Sequence, residues 1–349
     1  MRKVIDTPAS IVENGKFHLG IFKTEFRDLN IADADPLNLG GITPKSFRRL
    51  RIKEWQHYAI IHPDYYFGTI ILTAHFTANS FFYIYNRRKN ELSEHKRMLL
   101  PQRAHVAPTL YGGRSSVKER GYSVNYSNDL EKGLHEIRVE IAASAGLPAV
   151  SGSARIIEDL SYIQPLVASL PVGQNRAMYT HKVVCPVSGG FRVGSDTVTL
   201  DPARDTALVD IHKATYPHHF WWKWANFAAF DTAGKLLGAN LTDNLIEDQR
   251  AWNECAMWYG GAMSLLSPAR FVFDEKHTTK QWTIHDEDGR VDLSFQPDGE
   301  KKEELNFGLI KTHYRQPFGK FNGFLIDDAG TKHEVKDFFG VAEHMDAHL

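Results

Sequence analysis

The feature that most constrains the fold is a two-residue alternation of apolar and polar side chains in short segments. It is clearest in residues 135–142, where Ile137, Val139 and Ile141 interleave with charged residues. Such alternation is typical of a strand with one buried and one wet face. Turn-forming residues separate these segments, and no long stretch repeats with a helical period. We therefore expect an all-β fold, built as antiparallel barrels or sandwiches.

The length of 349 residues is large for one hydrophobic core, which favours two domains. Residues 165–175 contain two prolines and a glycine between patterned segments. We expect a linker there and a boundary near Val172. The predicted domains are an N-terminal β-domain of residues 1–172 and a C-terminal β-domain of residues 173–349.

Charge and composition argue against several classes of partner. The net charge of −1 disfavours nucleic acid as a partner, and we expect none. No window approaches the ~18 apolar residues of a membrane span, so we expect no stable membrane insertion. The two cysteines, Cys185 and Cys255, lie far apart and outside any Cys-x-x-Cys pair. Their spacing is typical of a reducing compartment, and we expect a soluble, cytoplasmic protein.

The most distinctive stretch is residues 208–230, because five of the seven tryptophans fall between Trp221 and Trp258. Beyond Pro217 its residues alternate, which predicts a strand with two unlike faces. One parity carries three large rings with a polar residue at each end: His218, Phe220, Trp222, Trp224 and Asn226. Aromatic walls with a few polar anchors are typical of a pocket for an apolar small molecule.

Several short motifs occur in a fixed order along the second half of the chain. They are Asp210, Pro217, Trp222-Lys223-Trp224-Ala225, Gly238-Ala239-Asn240-Leu241, Asn253-Glu254, Phe318-Gly319-Lys320-Phe321-Asn322-Gly323 and Gly340-Val341-Ala342-Glu343. In this order the chain resembles a bacterial family of unknown function in the calycin, or lipocalin-like, superfamily. That family is related to hydroxyneurosporene synthase (a carotenoid hydratase), to the AttH proteins and to yeast survival factor.

The resemblance implies two lipocalin-like β-domains around a largely apolar cavity, and no cofactor. It also implies a catalytic role for Asp210, since an Asp is proposed to protonate an isoprenoid double bond in carotenoid hydratases. The chain departs from the family pattern at His212-Lys213-Ala214, where the family usually has Gly-Arg-Gly. If that Arg binds a ligand, Lys213 must do so without a planar, bidentate guanidinium.

Two interpretations of Asp210 remain open from the sequence. In one, it is an ionised carboxylate paired with Lys213 or with backbone N–H groups. In the other, it is a buried general acid. An Asp with a pKa near ~3.9 needs a rise of about three units to be protonated at neutral pH, or roughly 4 kcal/mol. The two interpretations predict opposite pKa shifts.

The remaining candidates have one structural and one functional interpretation each. His218 is either a proton relay beside the tryptophans or a hydrogen-bonded wall residue. Trp222 and Trp224 either line the pocket or fill the core. The candidate ligand-binding residues besides these are Lys213, Tyr216, Asn240, Asn253, Glu254 and Glu343, of which the polar ones could instead connect strands.

No metal site is expected. His344 and His348 have the four-residue spacing of a zinc pair on a helix, but the sequence offers no third ligand, which favours a frayed tail. The chain also lacks a dinucleotide fingerprint, a P-loop and a Gly-x-Ser-x-Gly elbow.

Three functions follow as expectations. The first is binding of an isoprenoid or acyl lipid in an aromatic-lined cavity. The second is hydration, isomerisation or cyclisation of an alkene, with Asp210 as the general acid. The third is a stress-related interaction protein without catalysis.

Overall fold

A computed structural model of the protein describes residues 2–36, 43–308 and 310–348. Helix is rare within these residues, and it comprises α1 (Lys45–Arg49) and 3-10 turns at Ile31–Asp33, Pro101–Arg103 and Leu130–Lys132. No described helix is long and apolar enough to cross a membrane. The prediction of an all-β fold made of barrel or sandwich domains is confirmed.

Strands account for most of the described residues. In chain order they are β1 (Val4–Ile5), β2 (Val12–Glu13), β3 (Lys16–Phe17), β4 (Gly20–Phe22), β5 (Lys53–Ile61), β6 (Tyr65–Thr73), β7 (Ala78–Asn86), β8 (Glu91–Leu99), β9 (Ala104–His105), β10 (Tyr111–Glu119), β11 (Tyr122–Asp129), β12 (Leu134–Ile141), β13 (Val150–Ile157), β14 (Leu166–Gly173), β15 (Arg176–Val193), β16 (Asp196–Leu200), β17 (Thr206–Ala214), β18 (His219–Phe230), β19 (Leu236–Asn244), β20 (Ala256–Tyr259), β21 (Ala262–Leu265), β22 (Arg270–Val272), β23 (Trp282–His285), β24 (Val291–Phe307), β25 (Ile310–Ile326) and β26 (Lys332–His348).

Contacts divide the chain into two compact units. The N-terminal unit comprises Val4–Ser169 and Gln174–Thr215, and the C-terminal unit comprises Met1–Lys3, Leu170–Gly173 and Tyr216–Leu349. The segment expected to be a linker forms strand β14, which pairs with β4 through residues 167–169. Pro165 precedes this strand and Pro171 lies within it, beyond the residues that pair with β4. A folding boundary near Val172 stays a prediction.

The N-terminal unit is a nearly closed antiparallel barrel. Its strands follow the order β8-β7-β6-β5-β17-β15-β13-β12-β11-β10-β9. Strand β15 joins the two parts of this sheet, since residues 178–186 pair with β17 and residues 187–193 pair with β13. A large hydrophobic cluster, which includes Tyr58, Val209 and Ile211, forms the core of the unit.

Strand β17 lies between β5 and β15 and is buried along its whole length. Its alternation is clear at Val209 and Ile211, which point into the core, whereas Asp210 and His212 have the opposite parity. The face opposite the core therefore carries charged side chains that are nevertheless shielded from water.

The C-terminal unit is a second antiparallel sheet, with the order β21-β20-β19-β18-β26-β25-β24-β23-β22. Its core cluster includes Ala225 and Phe227 from β18 together with Trp282 and Phe321. Turns at residues 286–289 and 327–330 connect β23 to β24 and β25 to β26. Strand β18 forms at the stretch whose alternation predicts a strand. Ala225 and Phe227 face this core, and Phe220, Trp224 and Asn226 of the opposite parity are buried as well.

Candidate functional site

Asp210 lies at the centre of a group of polar and aromatic side chains on one face of the N-terminal sheet. It is directly opposite Lys182 on β15 and His57 on β5. Lys182 Nζ is 3.5 Å from Asp210 Oδ1, and His57 Nδ1 is 3.7 Å from Asp210 Oδ2. The indole N–H of Trp55 donates to Asp210 Oδ2 at 3.3 Å. The tryptophan that contacts Asp210 within this unit is therefore Trp55.

His212 completes this group, which we call the Asp210 cluster: Trp55, His57, Lys182, Asp210 and His212. The His212 ring stacks on Trp55 with centroids 4.1 Å apart and planes 13° apart. The two residues are cross-strand partners, a position in which aromatic side chains stabilise a sheet. The four ionisable members of the cluster are only 3–7% exposed.

Electrostatics keep Asp210 ionised. Burial by itself raises the pKa of Asp210, but the nearby Lys182 ammonium and His57 imidazole lower it by more. The pKa of Asp210 therefore lies well below its usual range. Burial lowers the pKa of His212 to about 3, against the attraction of Asp210, so His212 is neutral at neutral pH. Of the two interpretations of Asp210, this geometry favours the ion-paired carboxylate.

Lys213 is not the partner of Asp210. It lies three residues further along β17, and an odd separation on a strand places side chains on opposite faces. Its ammonium bonds to the Glu54 carboxylate and donates to the Ala107 carbonyl at 3.1 Å. His75 Nε2 lies 3.1 Å from the other Glu54 oxygen. Burial raises the pKa of Glu54, but Lys213 and His75 outweigh it and lower the pKa to about 2.

Sequence analysis missed a second buried network inside the barrel. His181 lies between two carboxylates, with Nδ1 2.7 Å from Glu25 Oε2 and Nε2 2.9 Å from Glu158 Oε1. His135 Nε2 is 2.7 Å from the other Glu158 oxygen. Burial lowers the pKa of His181, but both carboxylates oppose it and raise the pKa to about 10. The pKa of Glu158 falls to about 2 for the same reason, so the network is an ion pair.

In the C-terminal unit, Trp222 and Trp224 are anchored by hydrogen bonds. The Trp222 indole donates to Glu343 Oε2 at 3.0 Å, and Trp224 donates to Asn240 Oδ1 at 2.7 Å. The Asn240 amide in turn donates to the Glu254 carbonyl at 2.6 Å. Four of the predicted ligand-binding residues thus lie together on one face of this sheet, namely Trp222, Trp224, Asn240 and Glu343. Glu254 contributes its backbone carbonyl to these hydrogen bonds.

The Trp222 indole also belongs to a stack of three aromatic rings. The Tyr216 and Phe220 rings are 4.5 Å apart and 10° from parallel, and Phe220 is 5.9 Å from Trp222. Trp222 is half-buried. We call these three residues the aromatic stack.

Two predicted site residues lie elsewhere in the C-terminal unit. His218 is exposed and directly precedes strand β18, and its ring centroid lies 5.6 Å from that of His348. Asn253 stabilises a turn: its amide donates to the Gln249 carbonyl and its side-chain oxygen accepts from the Cys255 N–H, both at 2.8 Å. His348 belongs to β26 and not to a frayed tail.

A cleft of about 690 Å³ also opens in the N-terminal unit. Tyr65, Asn86 and Asp196 line it and are linked by hydrogen bonds through the Tyr65 hydroxyl. None of the residues predicted from the sequence lines this cleft.

Comparison with known proteins identifies the family. Residues 3–349 match the model of the domain of unknown function DUF2804, and the chain belongs to this family. No curated protein matches the chain. The relationship to hydroxyneurosporene synthase, AttH and survival factor stays a prediction.

Solved structures show the same fold at very low identity. The structure of CghA with Sch210972 has 8% identity and a TM-score of 0.54, and that of CghA has 9% identity and a TM-score of 0.52. Kievitone hydratase from Nectria haematococca has 10% identity and a TM-score of 0.49. Each match covers 85% of this chain and 88% of the other.

Proposed function

We propose that this member of the DUF2804 family binds an apolar small molecule at the Asp210 cluster and moves a proton on it. The observation that supports this proposal is the burial of an ionised Asp210 between Lys182 and His57. Buried charges are costly unless they are paired, and replacing such groups with apolar residues is often stabilising. The charged groups of the Asp210 cluster lie outside the hydrophobic core, and a catalytic role explains them better than a contribution to stability does.

Each member of the cluster has a distinct role in this proposal. Asp210 is an anion that orients the His57 ring, as a carboxylate does in many acid–base pairs. His57 gives and takes the proton, because one nitrogen of an imidazole can donate a proton and the other can accept one. The Lys182 ammonium stabilises negative charge that develops on a substrate oxygen. The neutral His212 ring and Trp55 provide a flat, apolar surface for the substrate.

The ionised state of Asp210 restricts the class of reaction. Protonating an isolated alkene needs a strong acid, and the low pKa of Asp210 leaves it without a proton to give. We therefore propose an alkene conjugated with a carbonyl as the substrate. His57 removes a proton next to the conjugated system, the electron pair moves to the carbonyl oxygen near Lys182, and His57 returns the proton at another carbon.

Deuterium exchange tests the proposal. β-Ionone, an isoprenoid conjugated ketone, is incubated in D₂O with the full chain, and its mass is followed against the rate without protein. We expect His57→Gln to lose at least 100-fold of the protein-dependent rate, since general acid–base catalysis contributes typically 10²–10⁴-fold. His105→Gln, an exposed histidine of the same unit, is the matched control. Equal exchange by His57→Gln and the unmodified protein excludes this role.

A second candidate function is binding of an apolar molecule without chemistry, which the aromatic stack of the C-terminal unit favours. Trp222 is half-buried and stacks on the buried rings of Tyr216 and Phe220, so its remaining exposed surface is available to an apolar ligand. Quenching of tryptophan fluorescence by retinol-like isoprenoids, with native mass spectrometry of the complex, measures binding. Binding weakened by Trp222→Ala, with no exchange on β-ionone in any variant, supports a carrier. A stress-related interaction role stays an expectation, and it predicts neither isoprenoid binding nor deuterium exchange.

A further inference from the structure

The first residue of β18 and the last residues of β26 bring together the side chains of His219, Asp346 and His348. His219 and His348 are directly opposite each other on these antiparallel strands. Asp346 is two residues from His348, so the two side chains share a face of β26. One potential ligand atom from each residue lies within 4.8 Å of the other two.

The nitrogen and oxygen atoms that could bind a metal ion already lie close to one another. His219 Nε2 is 3.0 Å from Asp346 Oδ2, and His348 Nε2 is 3.7 Å from Asp346 Oδ1. The two imidazoles stack with centroids 4.3 Å apart and planes 11° apart. Two imidazoles beside one carboxylate form a donor set for a single cation.

We propose that His219, Asp346 and His348 bind a divalent transition-metal ion, with Zn²⁺ as the best fit. Zn²⁺ prefers imidazole nitrogen and carboxylate oxygen at about 2.0–2.2 Å in a tetrahedral arrangement. Ligand atoms in such a site are about 3.4 Å apart, so small side-chain rotations complete the geometry. The fourth position is open to water, since the three side chains are 37–50% exposed.

The chemistry of the donors also separates this site from a calcium or magnesium site. Hard divalent cations take oxygen ligands, and here two of the three donors are nitrogen. The strands hold the donors in place, because His219 and His348 are direct cross-strand partners in the paired strands β18 and β26. The site is thus partly preorganised on sheet, as designed metal sites require.

Cobalt titration of the full chain, without a histidine tag, tests the site. Co²⁺ reports tetrahedral coordination by visible absorption, and Zn²⁺ competition then gives its affinity. We expect saturation at about one equivalent and displacement by Zn²⁺ but not by Mg²⁺. His219→Gln and His348→Gln each weaken binding by at least tenfold, because loss of one of three ligands removes a metal bond.

His277→Gln is the matched control. His277 is an exposed histidine of the same unit that pairs with Asp274 at 2.8 Å but has no second imidazole. We expect His277→Gln to bind Co²⁺ with the affinity of the unmodified protein. Saturation that survives both His219→Gln and His348→Gln, or the absence of a one-equivalent transition, overturns the proposal. Circular dichroism checks the folding of each variant, since substitutions at exposed positions of this kind usually change stability little.

Discussion

Replacing Asp210 with Asn tests the electrostatic basis of the candidate site. The substitution keeps the size of the side chain and an oxygen that can accept from Trp55, but it removes the negative charge. Lys182 then remains buried without its carboxylate partner, 3.5 Å from a neutral amide. Removing one member of a buried ion pair typically costs about 3–5 kcal/mol. We expect the lower end, about 3 kcal/mol, because the hydrogen bond from Trp55 is retained.

A double-mutant cycle separates this charge effect from a simple change in packing. Lys182→Met removes the ammonium and keeps most of the apolar stem. In Asp210→Asn/Lys182→Met no charge of the pair is left buried, so its loss of stability is smaller than the sum of the single losses. The expected interaction energy is about 1–3 kcal/mol, the range for residues in direct contact.

Urea unfolding at pH 7 measures both quantities. Six of the seven tryptophans belong to the C-terminal unit, and Trp55 belongs to the N-terminal unit. Fluorescence therefore reports mainly on the C-terminal unit, and circular dichroism must be recorded with it. A loss below about 1 kcal/mol for Asp210→Asn, or strictly additive losses in the cycle, refutes a buried ionised pair at this position.

Further predictions concern other buried groups. Since the pKa of His181 is raised from 6.5 to about 10, its ion pairs stabilise the fold fully below pH 6.5, and this contribution is lost as the pH rises through 10. Urea unfolding of His181→Gln should show a deficit of about 3–5 kcal/mol at pH 6 that shrinks by pH 10; a pH-independent deficit contradicts the assignment. Trp224→Phe leaves the buried Asn240 oxygen without its donor and should cost about 1–3 kcal/mol in the same assay, whereas an unchanged midpoint argues against this bond. Burial raises the pKa of Cys185 and Cys255, so a thiol reagent at pH 8 should label both only after urea is added, and rapid labelling of the native protein disagrees with their burial.

Much of the local structure follows from side-chain period and turn chemistry. The alternation in residues 218–226 predicts a strand, and β18 forms there with Ala225 and Phe227 in the core of the unit. The opposite parity is covered as well, since Trp224 and Asn226 are also buried. A strand with a period of two needs no partner to define its faces. The same rule excludes Lys213 as a partner of Asp210, since the two residues are three apart on one strand.

The Asp210 cluster could not be predicted from local sequence patterns. His57, Lys182 and Asp210 come from three strands that are distant in sequence, and nothing in their spacing predicts that they meet. They meet because β17 pairs with β5 on one side and β15 on the other, in a register that aligns these three residues. A shift of one residue in either pairing would move the partner to the opposite face.

The amino-acid sequence by itself thus determined the all-β class, the alternating faces and several of the turns, because these depend on neighbouring residues and on backbone preference. Only the tertiary structure decided that Lys182 accompanies Asp210, that His181 joins two carboxylates, and that His219 faces His348. Each of these contacts depends on strand pairing over long sequence separations, and that pairing is selected by burial and hydrogen bonding of the whole sheet.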